Sequence, residues 1–148
     1  ATQEQLNNIR TDIDWGALGF SYMPVRSHIR CSYKDGKWNS GVLMNEHTIT
    51  MTIAATCLHY GQAAFEGVPL QGGTVKVFRP DENARRLNLS ASRILGPEIP
   101  VEQFCDLVRR VVLDNIDYVP PYGSGGSLYI RPLYIGTGPQ IGVAPSKD

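Results

Sequence analysis

Residues 80–116 read PDENARRLNLSASRILGPEIPVEQFCDLVRRVVLDNI. The first part of this stretch predicts a helix from Pro80 to about Leu95. Asp81 can cap the free amides of its first turn, and Gly96-Pro97 would end it. In the second part the apolar residues recur at helical spacing, which predicts a strongly amphipathic second helix. These residues are Val101, Phe104, Cys105, Val108, Val111, Val112 and Ile116.

Short β-like runs lie on both sides of these two main helices. Asp35-Gly36, at the centre of Lys34–Lys37, predicts a tight hairpin because Asp-Gly adopts positive φ at low cost. Its strands are predicted at His28–Tyr33 and Trp38–Leu43. Further strands are predicted over His47–Ile53, Thr74–Phe78 and Ser127–Ile135. Strands that both precede and follow helices, with hairpins early in the chain, predict an α+β domain with a largely antiparallel sheet.

The rest of the chain defines its organisation. An additional helix is predicted over Ala54–Glu66, with Gly67 as its stop. A chain of 148 residues fits one domain. Residues 1–14 lack a sustained apolar period and are expected to form a mobile N-terminal arm, whereas residues 15–135 would form the α+β domain. Residues 136–148 are rich in glycine and proline, which predicts the start of an interdomain linker.

Charge and composition exclude several classes of partner. Fourteen basic residues balance fourteen acidic ones, so a nucleic-acid or anionic-membrane partner is not expected. No apolar run approaches the roughly 18 residues of a membrane span, and no signal peptide opens the chain. The three cysteines are widely spaced, and neither they nor the three histidines have metal-ligand spacing. These features predict a cytoplasmic protein with free thiols and no metal.

Three stretches have unusual composition and occur in a distinctive order: HYGQAAFEG at 59–67, VFRPDENARRLNLSA at 77–91 and PPYGSGGSLYIRPLYIGTGPQIGV at 120–143. Together they resemble the branched-chain amino-acid aminotransferases, which are pyridoxal-phosphate enzymes of fold type IV. The resemblance extends from about Trp15 to the end of the sequence. It implies the small N-terminal domain of such an enzyme.

The resemblance also implies an activity and a cofactor. The full enzyme would transfer the amino group of leucine, isoleucine or valine to 2-oxoglutarate with pyridoxal 5′-phosphate, and it would be a homodimer. The family's Schiff-base lysine belongs to a second domain, and it has no counterpart here. The four lysines of this chain lack the apolar surroundings that make an amine nucleophilic: Lys34, Lys37, Lys76 and Lys147. No catalytic residue is therefore expected in this chain, which would be inactive alone.

Arg86 is the cofactor-binding residue that the resemblance implies. It stands directly before Leu87 in the predicted helix, where the family's phosphate-binding arginine lies. A guanidinium fork matches phosphate oxygens in a bidentate manner and stays charged at any working pH. Its neighbour Arg85 is expected to be a surface or interface residue.

The resemblance further implies five substrate-binding residues. Tyr60, Phe65 and Gly67 match positions that wall the pocket for the substrate side chain. Two aromatic rings and a glycine would form an apolar slot for a branched aliphatic group. Tyr129 and Arg131 alternate on a predicted strand and so share one face. By resemblance, Tyr129 donates a hydrogen bond near the substrate carboxylate, and Arg131 binds the second carboxylate of glutamate or 2-oxoglutarate.

One departure from the family pattern leaves the exact substrate open. After Phe65-Glu66-Gly67 the family usually continues with a basic residue, where this chain has Val68-Pro69-Leu70-Gln71. The alternatives are another fold-type-IV enzyme, either a D-amino-acid aminotransferase or an aminodeoxychorismate lyase, and a non-catalytic fragment that only folds or dimerises. The long stretch over 121–143 argues against the two other enzymes.

Overall fold

The computed structural model describes residues 10–71 and 75–145. Its helices are α1 (Thr56–Tyr60), α2 (Pro80–Arg93) and α3 (Val101–Asp114), and a 3₁₀ turn follows at Ile116–Tyr118. Its strands are β1 (His28–Arg30), β2 (Tyr33–Lys34), β3 (Lys37–Trp38), β4 (Val42–Met44), β5 (Ala63–Phe65), β6 (Val68–Gln71), β7 (Lys76–Val77), β8 (Leu128–Ile130) and β9 (Leu133–Ile135). This mixture of helices and strands confirms the predicted α+β class.

The strands of the described residues pair in small antiparallel sheets: β1 with β4, β2 with β3, β5 with β9, and β6 between β7 and β8. The largely antiparallel arrangement is therefore confirmed. The pairings of β5 with β9 and of β6 with β8 join segments more than 50 positions apart in the sequence, such as Phe65 with Leu133. They bring the end of the chain back beside the region that follows α1.

The core lies where α2 and α3 pack on each other and on the strands. The residues that α2 buries, Ala84, Leu87 and Ala91, are three and four positions apart and so share one face of the helix. On α3 the same spacing buries Phe104 and Leu107, among others. Side chains from β1, β3, β8 and β9 cover this cluster: Ile29, Trp38, Ile130 and Tyr134. The helix spacing read from the sequence therefore identifies the core-facing side correctly.

The start of α2 differs from the prediction that Asp81 caps it. Arg79 occupies the capping position with a left-handed φ of 46°, Pro80 follows as the first helical residue, and no side chain caps the helix. The Asp81 carboxylate instead accepts hydrogen bonds from Arg79 and Arg85. The cap prediction is wrong because two nearby guanidinium groups compete for the same carboxylate.

The predicted hairpin is confirmed, although its strands are shorter than predicted. Asp35 and Gly36 both have positive φ, at 51° and 79°, as a two-residue turn of this kind requires. The chain bends again at Gly41, where an added Cβ would clash with the Leu107 side chain. Beyond this bend, β4 leaves the hairpin and pairs with β1.

Two predicted elements are wrong. His47–Ile53 forms no strand: the segment pairs with no described strand, and most of its residues are exposed. The helix predicted over Ala54–Glu66 ends at Tyr60, because Gly61 adopts a left-handed conformation with φ 61°. The residues that follow form β5 and pair with β9. The first segment lacks a pairing partner among the described strands, whereas part of the second gains one, so tertiary pairing overrides the local pattern in both cases.

The last predicted strand, Ser127–Ile135, is two strands. It breaks at Arg131-Pro132, so that β8 pairs with β6 while β9 pairs with β5. Proline has no N–H group and cannot continue a ladder of donors. The carbonyl of Pro132 still accepts a hydrogen bond from the Glu66 N–H at 3.0 Å.

The predicted arm falls mainly on residues 1–9, which lie outside the described part of the chain. Arg10 itself contacts the 3₁₀ turn, where it donates from Nη1 to the Tyr118 hydroxyl at 2.5 Å. No helix in the described ranges is long and apolar enough to span a membrane. Over the same residues, no cluster of His, Cys, Asp and Glu side chains could hold a metal ion.

Asn115 ties the segment before β1 to the end of α3, and this contact can be tested. The side chain is 3% exposed. It accepts from the Ser27 N–H at 3.0 Å and donates to the Ser27 and Val111 carbonyls at 3.1 and 2.8 Å. Asn115→Ala should lower the free energy of unfolding by about 2 to 4 kcal/mol, because buried backbone groups lose their partners. Urea unfolding measures this, with the exposed Asn45→Ala as control; equal midpoints for the two variants would contradict the assignment.

Candidate functional site

An ion pair joins α2 to the end of β5. Glu66, directly after β5, is 3% exposed, and both its oxygens accept hydrogen bonds from Arg86. The Nε–Oε1 distance is 2.7 Å and the Nη2–Oε2 distance is 2.6 Å, which is bidentate geometry. Asn83, one turn earlier on α2, donates from Nδ2 to Oε2 of the same carboxylate at 3.0 Å. The predicted phosphate-binding arginine is therefore held by a buried carboxylate.

The electrostatics of this pair keep both groups ionised. The hydrogen bonds from Arg86 lower the pKa of Glu66 below its ordinary value of 4.5, against the opposing effect of burial, and Asn83 lowers it further. The carboxylate in turn raises the pKa of Arg86. The two charges cancel, but the Arg86 side chain is 66% exposed, so its guanidinium still faces solvent.

A second cluster forms around Arg131, at the break between β8 and β9. Its Nη2 donates to the Tyr129 hydroxyl at 3.2 Å. Its Cζ lies 4.7 Å from the centroid of the Phe65 ring and 5.2 Å from that of the Tyr129 ring. Both distances are within the range of a cation–π contact. The guanidinium is thus placed among two aromatic faces and one hydroxyl, on side chains that are substantially exposed.

Gly67 lies between the two clusters. An added Cβ would clash with the Tyr129 ring and its hydroxyl oxygen, so only glycine leaves room for the tyrosine in this position. The Gly67 carbonyl also accepts a long hydrogen bond from Asn83, at 3.4 Å. The backbone of Phe65-Glu66-Gly67 therefore links the Arg86 pair to the Arg131 cluster.

The structure brings five of the six predicted site residues into this one region. Arg86, Phe65, Gly67, Tyr129 and Arg131 are connected through the contacts above. The sixth, Tyr60, ends α1 and is 45% exposed. Its described ring contact is with the neighbouring His59, at 6.3 Å between centroids.

Sequence reasoning missed the role of two residues, Glu66 and Asn83. The one available signal was the carboxylate of Glu66 within the otherwise uncharged run QAAFEG, at a position next to a predicted pocket residue. A lone acid among small and apolar residues suggests a buried charge that requires a cation. Nothing in the sequence identifies which of the arginines supplies it.

A cavity of about 540 Å³ adjoins the Arg131 cluster. It lies between α3, β1 and the β8–β9 segment, and Phe104, Leu107 and Ile130 form part of its apolar lining. Tyr129 and Arg131 also line it. These two polar side chains therefore border both the exposed site and an apolar space.

Several known proteins are similar to this chain in sequence or in fold. No family model matches the chain. A branched-chain-amino-acid aminotransferase of Haemophilus influenzae is 43% identical over 140 residues, which cover 93% of this chain and 41% of that protein. The chloroplastic branched-chain-amino-acid aminotransferase 2 of Arabidopsis thaliana is 40% identical over 147 residues, 96% of this chain and 37% of that protein. A solved T.th. branched-chain amino acid aminotransferase, complexed with N-(5′-phosphopyridoxyl)-L-glutamate, has a TM-score of 0.61 at 22% identity and covers 82% of this chain and 37% of its own.

The fold is accordingly that of the fold-type-IV aminotransferases, in which small antiparallel sheets and helices form the domain. Within that class, the chain belongs to the branched-chain aminotransferase family, as its three sequence stretches predict. It spans about two fifths of the length of these two curated relatives.

The Glu66–Arg86 pair should make stability depend on pH. A carboxyl whose pKa is lowered on folding contributes stability that is fully present above its unfolded value, here 4.5, and is lost as the pH falls through the folded value. The free-energy gap between parent and Glu66→Gln should therefore be about 1 to 3 kcal/mol near neutral pH and shrink below pH 4.5. Denaturant unfolding from pH 7 to 3 measures the gap.

The matched control is Glu82→Gln. In the parent, the Glu82 carboxylate is exposed on α2 and pairs with Arg79 and Arg85. This variant should follow the parent across the same pH range. A Glu66→Gln gap that stays constant with pH would show that the charge of Glu66 contributes nothing to folding.

Proposed function

We propose that this chain provides the cofactor-phosphate contact and part of the substrate pocket of a pyridoxal-phosphate-dependent branched-chain aminotransferase. The complete protein would transfer the amino group of leucine, isoleucine or valine to 2-oxoglutarate. The observation that carries the proposal is that two exposed guanidinium groups are each held by contacts with the short stretch Phe65-Glu66-Gly67 or its neighbours. Arg86 would bind the phosphate of the cofactor, and Arg131 would bind a carboxylate of the substrate.

The residues around Arg86 fit a phosphate group. Glu66 engages Nε and one N–H of Nη2, and the other three N–H groups have no described partner. The side chain is 66% exposed, so an anion can reach them. Among similar proteins, the ligand of the T.th. enzyme contains a phosphopyridoxyl group. Arg86 therefore supports pyridoxal 5′-phosphate as the cofactor of the complete protein.

When bound, pyridoxal 5′-phosphate supplies the electron sink through which an amino group can pass between an amino acid and an oxo acid. The residues of this chain would bind and orient the substrate. Arg131 can pair with a carboxylate, and its contacts with Phe65 and Tyr129 restrict where its guanidinium points. The exposed ring of Phe65 would contact the aliphatic side chain, and the Tyr129 hydroxyl would donate to a substrate oxygen.

The reacting amine would come from outside these residues. Lys34, Lys37 and Lys76 are all exposed. An exposed amine lacks the apolar surroundings that make a lysine nucleophilic. We therefore place the Schiff-base lysine in another part of the complete protein. The homodimer stays a prediction. The cytoplasmic location also stays a prediction, since the Arabidopsis thaliana relative is chloroplastic.

The direct test is an amino-transfer assay on the complete protein with added pyridoxal 5′-phosphate. Leucine, isoleucine and valine should each be converted when 2-oxoglutarate is the acceptor, with glutamate as the second product. D-Alanine and aminodeoxychorismate serve as the other arms of the assay. Turnover of either one, without turnover of leucine, would replace the proposed activity with that of another fold-type-IV enzyme.

Arg86 and its neighbour Arg85 give a matched pair of variants. Arg86→Ala removes a charge-assisted contact to the phosphate and should cost about 1.5 to 3 kcal/mol, or roughly 10- to 150-fold in cofactor affinity. Arg85 instead pairs with Asp81 and Glu82 on the surface of α2, so Arg85→Ala should retain the cofactor. Cofactor loss on dialysis compares them. An equal loss from both variants would mean that the phosphate contact is assigned to the wrong residue.

Phe65 should control selection of the substrate side chain. Phe65→Ala removes an apolar wall and should lower the ratio of kcat/KM for leucine to that for alanine by about 10-fold or more, since burial of each methylene is worth about 1 to 3 kcal/mol. Leu89→Ala is the control, because Leu89 on α2 is 60% exposed, much like Phe65 at 61%. If the two variants keep the same ratio, Phe65 is only a packing residue.

A further inference from the structure

We propose that Glu66 is a positioning residue for the cofactor phosphate: it holds the side of the Arg86 guanidinium and leaves the end of the fork free for the anion. This inference rests on the proposed function. It adds a residue that does not itself touch the ligand, and it predicts a specific direction for the effect of removing the Glu66 charge.

Glu66 is itself firmly placed. Its backbone N–H donates to the Pro132 carbonyl at 3.0 Å, which ties it to the loop that carries Arg131. Its Oε2 accepts from Asn83 at 3.0 Å, and its side chain is buried. A carboxylate anchored through both its backbone and its side chain can serve as a fixed reference point for a longer, more mobile partner.

Arg86 needs such a reference point. Its side chain has four rotatable bonds and is largely exposed, so without a partner it would sample many rotamers. The hydrogen bonds from Nε and Nη2 fix the plane of the guanidinium before any ligand arrives. Since these two donors form one side of the fork, the edge formed by Nη1 and Nη2 still carries two N–H groups that can bind two phosphate oxygens. A side chain ordered in advance loses less entropy on binding.

Two opposing effects decide whether the Glu66 charge strengthens or weakens phosphate binding. A carboxylate near a phosphate repels it, which would make Glu66 a competitor for Arg86. Fixing the guanidinium favours the phosphate instead. The geometry points to the second effect, because Glu66 occupies one side of the fork and both its oxygens accept hydrogen bonds from the Arg86 cation, with a further one from Asn83 to Oε2. Loss of its charge should therefore weaken phosphate binding.

The test compares two ligands in the complete protein: pyridoxal 5′-phosphate and pyridoxal, which lacks the phosphate. Glu66→Gln should raise the Kd for pyridoxal 5′-phosphate about tenfold, by analogy with residues that orient metal ligands, and leave the Kd for pyridoxal within about twofold. Glu82→Gln, on the helix that carries Arg86, should change neither value. In an Arg86→Ala background, Glu66→Gln should cause no further loss, because it acts through Arg86.

The other outcomes are distinct. Tighter binding of pyridoxal 5′-phosphate by Glu66→Gln would make Glu66 a competitor and overturn the proposal. Equal weakening for both ligands, or additive losses with Arg86→Ala, would show a purely structural role and overturn it as well. If Arg86→Ala alone leaves the Kd for pyridoxal 5′-phosphate unchanged, the proposed phosphate contact itself fails, a result that does not depend on Glu66.

Asn83→Ala provides a second route should Glu66→Gln fold poorly. It removes the other donor to the Glu66 carboxylate and leaves the Arg86 contacts in place. We expect a smaller rise in Kd, about two- to fivefold, for pyridoxal 5′-phosphate only. No rise, or an equal rise for pyridoxal, would contradict the positioning role independently.

Discussion

A buried carboxylate at the end of a β-strand requires a cation, and much of the geometry of this site depends on how Glu66 obtains one. An ionised group removed from water is costly unless it is paired and hydrogen-bonded. Asn83 and Arg86 meet this requirement from positions three residues apart on one face of α2. The ion pair therefore links the helix to the end of β5 and is compatible with one rotation of the helix. The same rotation directs Ala84 and Leu87 into the core.

The second constraint is the break in the last β segment. Because Pro132 cannot donate to a ladder, the chain changes partners there, from β6 to β5. Arg131 stands at the break, free of the regular alternation, and its guanidinium contacts the rings of Phe65 and Tyr129. The hydrogen bond from the Glu66 N–H to the Pro132 carbonyl joins this break to the ion pair. Both guanidinium groups are consequently positioned from one short stretch, Phe65-Glu66-Gly67.

The elements that sequence reasoning predicted well are those whose signals are local. The first long helix lies within two residues of its predicted ends, and the second contains all but the last of the apolar positions that predict it. The 3.6-residue period and the flanking Gly and Pro residues are contained in the segments themselves. The turn at Asp35-Gly36 is correct for the same reason. The predictions for His47–Ile53 and Ala54–Glu66 are wrong because short apolar patterns suit either a strand or a helix, and only a pairing partner decides between them.

The sequence by itself determined the fold class and the two main helices with their buried faces, and its resemblance to a family indicated five residues of the candidate site. Only the tertiary structure decided that β5 pairs with β9, that the final strand divides at Pro132, and that Glu66 rather than a surface acid holds Arg86. The physical reason is the distance along the chain. Residues 20 or more positions apart meet only when several elements pack together, so which acid meets which arginine follows from the combined burial and hydrogen bonding of all of them.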